Sequence, residues 1–186
     1  PNKLAASIHT RHGWKIYNEI KVLKFPLKPD LIPEINKYGS FFSKLINPII
    51  LLKLKQVRNL TSKSIEIHNV PEFGQLIDLH HQTKRKYFTT FKDEEFFRWR
   101  YLNSPFQKDY EFYILKKEDR IHLTLITRKI KKKNGLIIRI VDLFGYLDDN
   151  DAIIKLLNKL ISDSLKLGAI QITVFENNPN IKQLLF

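Results

Sequence analysis

The sequence predicts an α+β fold: a mixed, mostly antiparallel central sheet flanked by helices. Three observations carry this. Strand-like stretches at residues 110–116, 122–130 and 136–144 follow one another closely, and strands joined by short turns run antiparallel. A long helical pattern over 151–167 then leads into an Ile/Val-rich stretch, 169–175, and a strand reached through a helical crossover lies parallel to its predecessor. Finally, the two ends read as one unit met twice, once complete and once cut short. Asn2 begins a helix, a Gly-Trp pair and a strand, whereas Asn178 begins a helix at which the sequence stops.

In order along the chain, Pro1-Asn2 opens a helix over 4–12 that closes on Gly13-Trp14 and feeds a strand over 15–25. Pro26, Pro29 and Pro33 mark a linker, because proline suits neither a helix interior nor a central strand. Residues 40–59 set Phe41, Phe42, Leu45 and Ile49 against Lys44, Lys53, Lys55 and Arg58, a basic amphipathic helix kinked at Pro48. Packing on a neighbouring unit is the preferred reading of that helix, and an anionic membrane surface is the other. A strand over 64–68, a helix from Pro71 to residue 84 and a loop over 87–92 follow. Asp93 caps a short helix with Glu94-Glu95 in its first turn, where acidic side chains complement the dipole, and the helix runs on to Tyr101. The strands 122–130 and 136–144 are joined through Lys131-Lys132-Lys133-Asn134-Gly135, whose Asn-Gly is a hairpin signal. Gly168 ends the long helix, and the strand after it reads as buried on both faces.

Of the 186 residues, 43% are apolar and 12% aromatic, enough for one core plus an appendage. Cysteine is absent, which excludes disulfides and thiolate chemistry and is compatible with a cytoplasmic location. The repeated terminal unit makes the chain read as a piece of a longer, duplicated protein, and the absence of methionine fits a trimmed chain. The longest apolar run, 45–54, is broken by Asn47, Pro48 and Lys53 and is too short to span a membrane. The net charge of +13 lies in the first two-thirds: residues 1–70 hold 12 Lys/Arg against 4 Asp/Glu, residues 136–186 only 5 against 6. Such a field favours anionic partners, although scattered lysines also serve simply as a solvated face.

Strand, strand, strand, helix, strand, helix is a restrictive order, and in it the chain resembles the GNAT N-acetyltransferase superfamily. Residues 62–186 resemble one such domain, C-terminally truncated. Residues 1–28 look like the closing helix and strand of a preceding unit, ending in the family's glycine-aromatic pair, here Gly13-Trp14, with 29–61 as linker and amphipathic helix. Within the superfamily the chain is similar to a tandem subgroup with a Trp-Arg-Tyr signature, here Phe97, Trp99, Arg100, Tyr101, Pro105 and Tyr110.

The resemblance implies acyl transfer from acetyl-CoA or another acyl-CoA to an amine of a small molecule or sugar. It also implies a cofactor-binding strand that splays from its neighbour, here Val141, Leu143, Phe144 and Gly145, together with Asn178 at the start of the last helix. The family's glycine-rich phosphate loop is replaced by Gly145-Tyr146-Leu147-Asp148-Asp149-Asn150-Asp151. Its carboxylates compete with phosphate for the free amides of the helix start. The family's tyrosine acid falls on Leu185, and on His9 in the partial first copy. Asp142 is the carboxylate nominated as base; its plainer reading is a strand-end residue satisfied by backbone amides.

No metal is expected, since no histidine has carboxylate or cysteine companions at ligand spacing. Aromatic residues 96–101 read as core before ligand platform. Two alternatives stay open: a catalytically degenerate half that binds or dimerises as a homo-oligomer, and a basic nucleic-acid binder, the weaker because no recognition motif accompanies the charge. Were the chain to fold alone, the strand over 15–25 is expected beside 169–175.

Overall fold

In the computed structural model, residues 22–28, 31, 65–69, 71–83 and 91–175 are described. The expected helices over 4–12, 40–59 and 181–186, with Asn178, Leu185 and His9, lie outside them. Six strands form one sheet: β1 (Val22–Pro26), β2 (Ile65–His68), β3 (Tyr110–Lys117), β4 (Arg120–Lys132), β5 (Gly135–Gly145) and β6 (Gln171–Phe175), in the order β1-β6-β5-β4-β3-β2. Every neighbouring pair is antiparallel except β5 and β6, which the helical crossover makes parallel. β1 runs along the outer edge of β6, Val22 opposite Phe175, the place expected for the strand over 15–25.

Helices cover both faces. The alternation of β4, β5 and β6 sends Leu123, Leu125, Ile138, Ile140, Ile172 and Val174 to one face, against α3 (Asn150–Lys166) through Ile153, Leu156 and Leu160. Phe112, Ile114, Ile126 and Phe144 point the other way, against α1 (Phe73–Thr83) and α2 (Glu94–Phe97). Burying each of these side chains contributes about 1.5–3 kcal/mol, so the two layers hold the sheet between them. α3 stops at Gly168, whose φ of +74° suits glycine, as the sequence implies.

Three local features depart from the sequence reading. After Phe97 the backbone widens into a π-turn, Arg98–Leu102, closed by Asn103 N donating to Arg98 O at 2.8 Å, rather than continuing as α-helix. A 3₁₀ turn, Gln107–Asp109, precedes β3. The β3–β4 connection is a two-residue hairpin: Lys117 pairs with Arg120, which forces Glu118 and Asp119 to φ of +50° and +59° although neither is glycine or asparagine. That turn carried no sequence signal, because register imposes it against local preference.

Candidate functional site

β5 is irregular where it leaves β6. Ile126 of β4 faces Asp142 and Thr127 faces Ile140, so Val141 is an extra, unpaired residue. A bulge of this kind re-aims side chains, and here Val141 and Asp142 both turn to the α1/α2 face. On the other edge, parallel pairing runs from Ile137↔Gln171 to Ile140↔Val174 and ends there, while β5 continues to Gly145. Residues 141–145 therefore have no strand partner on the β6 side among the described residues. A backbone edge without a partner demands one, from water or from a ligand.

Asp142 sits at the head of this opening. Its Oδ2 accepts from Lys92 Nζ at 2.6 Å and from the Tyr101 hydroxyl at 3.4 Å, with 6% of the Lys92 side chain and 19% of the Asp142 side chain exposed. The plainer sequence reading, satisfaction by backbone amides, is thus replaced by a side-chain ion pair. Lys92 also lies 4.5 Å above the Phe144 ring, whose negative face shares in holding the ammonium. Burial, and secondarily the charge of Asp142, pushes the Tyr101 hydroxyl well above its ordinary pKa, so it stays protonated and donates. The π-turn places Tyr101 between Phe97 and Tyr110, with ring centroids 5.9 and 5.1 Å away.

At the far end of β5, Gly145 has φ of +123°, and a Cβ there would lie 2.5 Å from the His122 carbonyl oxygen. Only glycine permits that approach, and Tyr146 N donates to the same oxygen at 3.1 Å. Asp149 then caps α3: its Oδ1 accepts from Ala152 N at 3.0 Å, while Oδ2 bonds Lys117 Nζ and lies 2.8 Å from His122 Nε2. Hydrogen bonds from Lys117 and from the Ala152 amide hold the Asp149 carboxyl well below the usual range. The carboxylate anticipated from the loop sequence thus occupies one amide at the start of α3. Beside it a groove of about 570 Å³ is lined by Gln75, Asp78, Gln82, Arg120, His122 and Tyr146.

The five described candidates, Val141, Asp142, Leu143, Phe144 and Gly145, are contiguous on β5, but their side chains diverge. Leu143 packs into the α3 core, Phe144 is 5% exposed within the aromatic layer, and Gly145 offers backbone alone. Of the Trp-Arg-Tyr stretch, Phe97, Tyr101 and Tyr110 are buried core residues, whereas Trp99 is 63% exposed. Lys92 escaped the sequence reading. It lies 50 positions from Asp142, and no spacing rule links a loop lysine to a strand so distant. The contact between His122 and Asp149, 27 positions apart, escaped it for the same reason.

Among the described residues no group of three or more His, Cys, Asp or Glu could hold a metal ion, and no helix is long and apolar enough to cross a membrane. No family model and no curated protein matches the sequence. Solved structures do match the fold. N-myristoyltransferase from Saccharomyces cerevisiae, solved with myristoyl-CoA bound, superposes with a TM-score of 0.60 at 9% identity, over 90% of this chain and 44% of that one. A GCN5-related N-acetyltransferase from Anabaena variabilis gives 0.54 at 12% identity, over 95% and 38%. The chain thus spans less than half the length of either protein. Its sheet and flanking helices have the fold found in N-myristoyltransferase and the GCN5-related N-acetyltransferases.

Proposed function

We propose that the chain is an acyl-CoA-dependent N-acyltransferase whose donor site is the edge of β5 at 141–145. The observation that carries this is that, among the described residues, pairing of β5 with β6 extends only to Ile140↔Val174 although β5 runs on to Gly145. A pantetheine arm carries two amides and fits such an edge as a surrogate strand. The residues at the start of α3 fit less well, since Asp149 holds the Ala152 amide that a pyrophosphate needs.

Asp142 accepts a proton from the incoming ammonium through Oδ1, while Lys92 and Tyr101 hold Oδ2. The free amine then attacks the thioester carbonyl that bound acyl-CoA would supply; the C–N bond forms as the C–S bond breaks, and CoA leaves as a thiolate that takes up the second proton lost by the nitrogen. The acceptor is an amine of a small molecule or sugar. The neighbour's myristoyl-CoA makes a long-chain thioester worth testing beside acetyl-CoA.

Calorimetric titration with CoA, acetyl-CoA and myristoyl-CoA tests the donor site. Saturable micromolar binding, weakened by substitution of Gly145, is the expected result. Absence of heat with all three would overturn the proposal and leave a GNAT fold that has lost its donor, for which the Asp149 cap supplies a reason.

A further inference from the structure

The groove of about 570 Å³ lies between α1 and the turn that joins β3 to β4. Leu79 and Ile121 give it an apolar base, while Gln75, Asp78 and Gln82 come from α1 and Glu118, Asp119 and Arg120 from the turn. Positions 75, 78 and 82 recur at helical spacing, so one face of α1 presents all three. Elsewhere charged side chains find partners, as Lys116 does in Glu66 and Lys129 in Glu111. These six make no hydrogen bond or ion pair among the described residues, so their donors and acceptors meet the groove unengaged.

An aromatic ring completes the lining. Tyr146 lies flat on His122, with centroids 4.8 Å and planes 11° apart, and Asp149 holds His122 in turn at 2.8 Å. Tyr146 is nevertheless 46% exposed, so the ring face turned away from His122 is open. The turn itself is unusual, because Glu118 and Asp119 both take positive φ where Asn-Gly would sit with less strain. Strain kept against an easier alternative points to what the side chains do, and here it keeps two carboxylates on the groove wall. The local charge also runs against the whole: in a chain of net charge +13 the groove sets three carboxylates against Arg120, since Lys117 is engaged by Asp149.

We infer that this groove binds an amino sugar. A pyranose ring offers a face of C–H groups to the open side of Tyr146, and a rim of hydroxyls that both donate and accept. Amides and carboxylates are suited to such a rim, because each can make two bonds in one plane. The ammonium of the sugar meets the carboxylates, whereas a phosphate or an acid is repelled. The volume is that of a small-molecule site. The groove is separate from the proposed base: His122 precedes Ile126, the partner of Asp142, by four residues of β4, about 13 Å at the usual rise. A ring held here is therefore not the group presented to Asp142, and the inference does not require acyl-CoA.

Two-dimensional NMR titration of the full chain with glucosamine, N-acetylglucosamine and glucose, below neutral pH and without acyl-CoA, tests the site. Glucosamine is expected to shift the amides of residues 75–82, 117–122 and 146 saturably. It should bind at least fivefold more tightly than N-acetylglucosamine or glucose, which lack its charge. Tyr146→Ala and Gln82→Ala should each weaken glucosamine at least fivefold, and the exposed Gln82→Ala should do so with an unchanged Tm. Replacing Glu118-Asp119 by Asn-Gly should raise the Tm and abolish the preference for glucosamine over glucose. A turn with a structural role alone predicts the raised Tm with binding untouched, and that result overturns the inference. Equal affinity for the three sugars, shifts confined to other residues, or no saturable shift with any of them overturns it too. Glucosamine binding at these residues in a chain that takes up no acyl-CoA would keep the groove and remove only the acyltransferase reading.

Discussion

The ion pair between Lys92 and Asp142 clamps the segment before α2 to the bulged part of β5, and its energetics follow from the exposure of its members. Asp142→Asn leaves an ammonium whose side chain is 6% exposed facing a neutral amide. Stranding a buried charge costs 3–5 kcal/mol, and retained contact with the Phe144 ring puts the expected loss at about 3 kcal/mol. Lys92→Met leaves a carboxylate that is 19% exposed and still accepts from Tyr101, so a smaller loss of about 2 kcal/mol is expected. The double variant strands neither charge. It should lose about 2 kcal/mol, not the roughly 5 kcal/mol that additivity requires, a coupling near the upper end for contacting residues. Equilibrium urea unfolding of the four proteins measures the cycle, provided the m-value stays constant. Additivity within about 0.5 kcal/mol would refute the reasoning, since it would mean that the two groups do not depend on one another.

Gly145→Ala should destabilise by about 2–3 kcal/mol, because it combines a positive φ with a clash against the His122 carbonyl; an unchanged urea midpoint would reject the close approach. Replacing Glu118-Asp119 by Asn-Gly should stabilise by about 1 kcal/mol, since both positions have φ above zero, and a fall in Tm would argue against the tight turn. Asp149 is held below its ordinary value, so its stabilisation is complete above about pH 4 and is lost as pH falls further, through the folded value. Asp149→Asn should flatten the acid limb of the stability curve, and a limb as steep as wild type would show that the carboxyl is not so bonded.

Much of the sheet was legible from local pattern. Alternating apolar residues marked β3, β4 and β5, Asn134-Gly135 marked their second hairpin, and Asp93 and Gly168 marked helix ends, because each acts on its own few neighbours. Asp142 was picked out as a carboxylate on the right strand, and Asp149 as one of several acids at the start of α3. What each bonds to was not legible, for Lys92, Tyr101, Lys117 and His122 come from 27 to 50 positions away. The left-handed pair Glu118-Asp119 and the π-turn at 98–102 run against local preference, so they appear only once register and packing impose them.

By itself, then, the sequence determined the order of strands and helices, the parallel crossover into β6 and the acidic start of α3. These follow from periodicity, capping and connection length, all of which operate within a few residues. Only the tertiary structure decided that Val141 is a bulge, that among the described residues β6 pairs with β5 only as far as Ile140↔Val174, and that Arg128 and Arg139 are register partners across β4 and β5. Register is a property of pairs of strands, settled by which residues both layers of the core can bury, and a one-residue slip would have turned every one of these side chains to the opposite face.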